Sequence, residues 1–141
     1  MSEEEPLIVS IDPGSEKCGL AVITEAGAVR QLTIVATSEL AEVVGRWVAE
    51  TPVAQIIVGN RTGSRSVIER LAALGSAVPV TPVPEHNSTL MARDLYFEDH
   101  PPRGWRRLIP RGMQVPPVPV DDYAALAIAH AWQARDRRTA G

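Results

Sequence analysis

Three acidic positions stand where the character of the chain changes. Asp12 closes an apolar run, Glu85 follows another, and Asp121 and Asp122 open a long helical pattern. Carboxylates from remote segments that meet at strand ends can hold hard divalent cations, which prefer oxygen ligands. Two such ions roughly 3.5–4 Å apart are what metal-assisted phosphodiester cleavage uses to clamp the attacking and leaving oxygens. Each acid also has a plainer reading. Asp12 precedes Pro13-Gly14 and suits a turn. Glu85 suits an exposed loop. Either aspartate suits a helix N-cap, where the dipole favours negative charge.

The elements around these acids follow from periodicity. Leu7 to Ile11 is a β-branched apolar run and reads as a buried strand, ended by the turn residues Asp12-Pro13-Gly14-Ser15. Gly19 to Ile23 and Val29 to Ala36 read as two further strands. Short connections make the first three an antiparallel meander. Ser38 is placed to cap a helix with Ala41, Val44, Trp47 and Val48 on its apolar face. Val53 to Val58 is apolar enough for burial on both faces of a sheet. Ser66 to Leu74 fits a helix closed by Gly75. Val78 to Val83 carries Pro79 and Pro82, which cannot donate ladder hydrogen bonds, so an edge strand is expected. Ser88 to Phe97 reads as helical, 99–120 as an irregular proline-rich loop, and Asp121 to about Arg135 as a buried helix. The expected fold class is α/β: one five-stranded mixed sheet, its first three strands antiparallel, flanked by helices.

Composition narrows the function classes. At 141 residues and 45% hydrophobic, the chain suits one domain with a proper core. Residues 1–5 are expected to form a disordered acidic tail. No apolar run approaches the roughly 20 residues that span a bilayer. Cys18 is the only cysteine, so neither an intrachain disulfide nor a cysteine zinc cluster is available. A cytoplasmic protein is expected. The net charge of −3 disfavours nucleic-acid binding only in sum. Between Pro101 and Val120 there are four arginines and no acid, a local strip able to follow a phosphate backbone.

The motifs carry a resemblance. Leu7-Ile-Val-Ser-Ile-Asp12-Pro-Gly-Ser-Glu-Lys-Cys-Gly19-Leu-Ala-Val22 resembles the opening of RuvC-type resolvases. There a strand ends in Asp-Pro-Gly-Ser and a glycine begins the next. Ile56-Ile-Val-Gly59 resembles the fourth-strand signature of YqgF proteins. Val83-Pro-Glu85-His-Asn-Ser-Thr89-Leu-Met-Ala92 resembles that family's Asp-Glu-Arg-Leu-Thr-Thr-x-x-Ala segment. Val120-Asp121-Asp122-Tyr-Ala124-Ala125 resembles its closing Asp-x-x-Ala-Ala helix. Order and spacing agree from Leu7 to Trp132.

The resemblance implies an RNase H-like, RuvC-type fold and a magnesium- or manganese-dependent nuclease. Its substrates would be branched DNA such as Holliday junctions, or precursor ribosomal RNA. Asp12, Glu85 and Asp121 take the places of the family's metal-binding and catalytic acids, with Asp122 as the alternative to Asp121. Neighbouring helical residues point about 100° apart, so one of the two faces the metals. The resemblance also allows a homodimer, since a junction has two symmetric cuts.

Departures from the pattern are specific. RuvC enzymes carry a fourth acid where this chain has Ala124. His86-Asn87 replaces Arg-Leu, and Asn60-Arg61 replaces Leu-Pro after the strand-four glycine. The Gly59–Ser64 loop precedes a helix and can hold phosphate, although it lacks the Gly-Lys-Ser/Thr ending of a nucleotide loop. Arg61 and Arg65 are its nucleic-acid candidates, and Arg106, Arg107 and Arg111 those of the basic strip. Trp105 can stack on a base or pack the loop. Trp47, Leu126, Trp132 and His130 fall on apolar helix faces and read as core, as does Cys18. Two other functions fit less of the chain. A non-catalytic nucleic-acid-binding module accounts for the missing fourth acid. An actin-like ATPase also begins with strand-Asp-x-Gly but needs two such domains.

Overall fold

The computed structural model describes residues 6–60, 63–75, 77–84, 95–96, 98–100 and the backbone of 121–140, with side chains in that last helix from 122 to 135. The acidic tail at 1–5 and the basic strip at 101–120 lie outside the described residues.

Strands β1 (Leu7–Asp12), β2 (Lys17–Thr24) and β3 (Val29–Ala36) form the expected antiparallel meander. Strand β4 (Val53–Gly59) then pairs parallel to β1, and β5 (Val80–Val83) pairs parallel to β4. The five-stranded order is β3-β2-β1-β4-β5, which leaves the proline-bearing β5 at an edge, as its composition requires.

Alternation along β1 divides the core in two. Val9 and Ile11 join Leu20, Val22, Ile56 and Val58 on one face, covered by α1 (Leu40–Glu50) and α2 (Ser64–Ala72) through Leu40, Val44, Val67 and Leu71. Ile8 joins Ala21, Ile23, Ile57 and Val83 on the other, covered by α3 (Asp121–Ala140) through Ala125, Leu126, Ile128 and Ala129. Strand β4 therefore sends Ile56 and Val58 one way and Ile57 the other, buried on both faces as expected. Tyr123 to Ala129 are buried without a break, in keeping with an all-round apolar helix. Trp47 and Trp132 are half-buried at the margins of the two clusters, and Cys18 is fully buried.

Several boundaries shift for physical reasons. Ser38 does not cap α1: Thr37–Glu39 form a 3-10 turn, and the helix begins at Leu40 with no side-chain cap. Helix α2 begins two residues before Ser66, because Gly63 takes the left-handed conformation (φ +96°) ahead of Ser64. Strand β5 begins at Val80; the Pro79 carbonyl instead accepts a 3.0 Å bond from the Ile56 amide. Leu95, Tyr96, Glu98 and Asp99 are helical, and the His100 amide closes on the Tyr96 carbonyl at 2.8 Å. That helical segment thus runs past Phe97, and the rest of its expected span lies outside the described residues. Helix α3 continues to Ala140 rather than ending near Arg135.

Candidate active site

Asp12 is the last residue of β1 and stands directly opposite Gly19 of β2. Cross-strand partners share a face, so the residue directly opposite Asp12 carries no side chain. Asp12 is only 5% exposed. Keeping a carboxylate charged at that depth demands hydrogen bonds or opposing positive charge. By the period of two, Asp12 shares the face of Ser10, which is the face covered by α3.

Two polar contacts set the direction of α3. Ser10 Oγ donates 2.6 Å to the Ala125 carbonyl. Gln133 Nε2 donates 3.1 Å to each of the Thr24 and Glu25 carbonyls. Thr24 pairs with Leu7, at the opposite end of β1 from Asp12. Helix α3 therefore runs antiparallel to β1. The spacings agree: three strand residues from Ser10 to Leu7 cover about 10 Å, and eight helical residues from Ala125 to Gln133 cover about 12 Å. Continued the other way, two residues to Asp12 span about 7 Å, and four residues from Ala125 to Asp121 span about 6 Å. The Asp121 backbone thus comes level with Asp12, on the same helical stripe as Ala125. The positive end of the α3 dipole lies at the carboxyl end of β1.

The exits of β4 and β5 lie at the same edge of the sheet. Strands β1, β4 and β5 are parallel, with Ile11 beside Val58 and Gly59 beside Val83. The Asn60 amide donates to the Val83 carbonyl at 2.7 Å, holding the β4 and β5 exits together. Glu85 is two residues beyond Val83 in the chain. Glu85 itself and the side chain of Asp121 lie outside the described residues, as do His86, Arg61, Trp105, Arg106, Arg107 and Arg111. Among the described residues no group of three His, Cys, Asp or Glu is gathered for a metal. The donor chemistry nevertheless fits a hard divalent cation, since a buried carboxylate at a strand end faces a glycine and a helix N-terminus carrying a second aspartate.

Asp122 has a different position. Its Oδ1 accepts a 3.0 Å bond from the Tyr123 amide, which engages it with the helix backbone. Ala124, at the place of a fourth acid, is buried against Tyr96 and Tyr123. Arg65 is exposed on α2, and its Nε lies 3.9 Å from Glu69 across one helical turn. His130 is half-buried, with Nε2 3.3 Å from the Gly27 carbonyl, and serves as a core-margin residue.

Sequence reading missed an aromatic brace. The rings of Tyr96 and His100 stack at 4.5 Å, Tyr123 meets Tyr96 edge-on at 5.8 Å, and Tyr123 lies 6.4 Å from His100. The Tyr123 hydroxyl donates 2.9 Å to Asp99. Burial, reinforced by that bond and by the charges of Asp99 and Asp122, pushes the phenol up to about 12. The brace sets His100 beside Tyr123 in the first turn of α3. Ser10, the lone polar residue of the apolar run in β1, is a sequence signal only for its own bond to Ala125. Nothing in the spacing of Tyr96, Asp99 and Tyr123 announced theirs.

The sheet order, the parallel β1-β4-β5 half and the carboxyl-edge acid define an RNase H-like architecture. Within that architecture the fold is of the RuvC type. It resembles Thermus thermophilus RuvC in complex with a Holliday junction substrate, with a TM-score of 0.58 and 17% identity over 94% of this chain and 96% of that one. A second Thermus thermophilus RuvC structure matches with a TM-score of 0.55 and 19% identity over 92% and 96%. The yeast mitochondrial Holliday junction resolvase Ydc2 matches with a TM-score of 0.55 and 10% identity over 97% and 83%. No family model and no curated protein matches the chain. Among the described residues no helix is long and apolar enough to cross a membrane.

Proposed function

We propose that this chain is a single-domain, divalent-metal-dependent nuclease that hydrolyses phosphodiester bonds in branched DNA. The observation that carries this reading is the antiparallel docking of α3 on β1, which brings position 121 level with the buried Asp12. The likeness to RuvC, solved with its junction substrate, supports the choice of DNA. Precursor ribosomal RNA is the second substrate class, supported by the YqgF-like motifs at Ile56–Gly59 and Glu85–Ala92. The single buried cysteine is in keeping with a cytoplasmic enzyme.

Asp12, Glu85 and Asp121 would hold magnesium or manganese. When bound, such ions supply Lewis-acid stabilisation of the charge that builds on the phosphate. The chain's own part is positioning. Strand β1, paired with β2 and β4 as far as Ile11, offers Asp12 at its end. The N-terminus of α3 favours phosphate on the same side. Arg65 of α2, Arg61 four residues before it in the sequence, and Arg106, Arg107 and Arg111 between His100 and Asp121 are the candidates to hold the nucleic-acid backbone. A homodimer would supply one centre for each cut of a symmetric junction.

A non-catalytic binding module is the alternative, favoured by the burial of Ala124 where a fourth acid would stand. One experiment separates these readings. Labelled junction DNA, single-stranded DNA and precursor ribosomal RNA are incubated in parallel with manganese or with EDTA. Cleavage of the junction in manganese alone is expected. Binding with every substrate left intact would establish the module instead.

A further inference from the structure

The turn that carries Asp12 is held by Thr37. Thr37 follows β3, and the last pair of that ladder, Lys17 with Ala36, sets it beside the turn between β1 and β2. Thr37 Oγ1 donates 2.8 Å to the Gly14 carbonyl, and the Thr37 amide donates 2.9 Å to the Glu16 carbonyl. Fully buried Cys18 backs the hydroxyl, with Sγ 3.3 Å from Thr37 Oγ1 and 3.9 Å from the Gly14 carbonyl. Arg70 of α2 donates 3.1 Å to the Thr37 carbonyl. The turn is drawn tight: a Cβ on Gly14 would stand 2.2 Å from the Lys17 carbonyl oxygen. Pro13 limits the backbone between Asp12 and Gly14 further.

We propose that Thr37 is a positioning residue for the Asp12 centre, its hydroxyl holding the Asp12–Gly14 turn in the shape that presents the Asp12 carboxylate to a divalent cation. The inference rests on the reading of Asp12 as a metal ligand. The Thr37 amide bond survives any substitution except proline, so the hydroxyl alone can be tested. Partners outside the ligand shell typically change metal affinity by about 10–100-fold when removed. Thr37 acts on the backbone two residues beyond the ligand, so the low end is expected.

Manganese binding is measured by titration calorimetry, with the thermal midpoint recorded separately in EDTA. Thr37→Val is expected to bind manganese about tenfold more weakly. Its metal-free midpoint should fall by only about 4 °C. Thr37→Ala should repeat the affinity loss, and Thr37→Ser should restore it. Thr24→Val removes a hydroxyl bonded to the Ala28 amide away from the Asp12 turn, and should lose midpoint without losing affinity. Wild-type affinity in both Thr37→Val and Thr37→Ala overturns the proposal, as does an equal affinity loss in Thr24→Val. Asp12→Asn separates this inference from the reading beneath it. If Asp12→Asn loses manganese while Thr37→Val keeps it, Thr37 alone is refuted. If Asp12→Asn binds as the wild type does, the metal assignment of Asp12 fails.

Discussion

Ser10 Oγ donates 2.6 Å to the carbonyl of Ala125, a bond between residues 115 apart in the chain. It sets the phase of α3. Position 121 lies one turn before Ala125 on the same stripe, whereas Asp122 is rotated by about 100° and caps the Tyr123 amide. Asp121→Ala should therefore cost far more activity than Asp122→Ala. The Asp122 change should cost about 1 kcal/mol of stability as a lost cap and leave cleavage near wild type. Rate and thermal midpoint measured together decide between them. A fully active Asp121→Ala, or an inactive but folded Asp122→Ala, reverses the register.

Asp12→Asn should nearly abolish cleavage while leaving substrate binding intact or stronger. The amide keeps the shape of the side chain but removes a charged ligand and a source of repulsion for phosphate. The check is single-turnover cleavage at saturating manganese, beside a binding titration in EDTA. A rate close to wild type would refute the role of Asp12.

The basic strip between His100 and Asp121 should contact phosphates. Changing Arg106 and Arg107 to alanine should weaken binding about equally across sequences, because phosphate contacts carry no base information. Each lost contact should lower the salt slope of binding by roughly 0.7–0.9. The dissociation constant measured against salt tests this. Identical affinity and slope would move the interface to Gly59–Arg65.

Tyr123 links stability to alkaline pH. Burial and the Asp99 bond raise its phenol from the ordinary 10.0 to about 12. The folded state therefore holds the proton more tightly than the unfolded chain. The resulting stability is fully present below pH 10 and is lost as pH rises through about 12. Tyr123 and Tyr96 are the only two tyrosines. In Tyr96→Phe, phenolate absorbance should appear near 12. Ionisation at the ordinary value would show that the Tyr123–Asp99 bond does not form in solution.

Much of the architecture is written locally. Strand β3 spans Val29–Ala36 as its pattern predicts, and Pro82 consigns β5 to an edge. The apolar run of β4 called for burial on both faces, and Ile56, Ile57 and Val58 supply it. The turn chemistry after Ile11 placed Asp12 at a strand end. The start of α1 was not legible in this way. Ser38 is a good cap by type, but its neighbour Thr37 is committed to the Gly14–Glu16 turn, and the chain enters the helix through a 3-10 turn instead.

The sequence by itself determined the elements, the strand-end position of Asp12 and the candidates Glu85 and Asp121. Sterics, turn propensity and periodicity act over a few residues and are visible in any short window. Only the tertiary structure decided that α3 docks antiparallel to β1 with Ala125 against Ser10, that Thr37 bonds the Gly14 turn, and that Tyr123 meets Asp99 and Tyr96. Those outcomes depend on which apolar faces bury one another and which carbonyl each hydroxyl then meets. Such contacts join segments 23 to 115 residues apart, and no local preference encodes them.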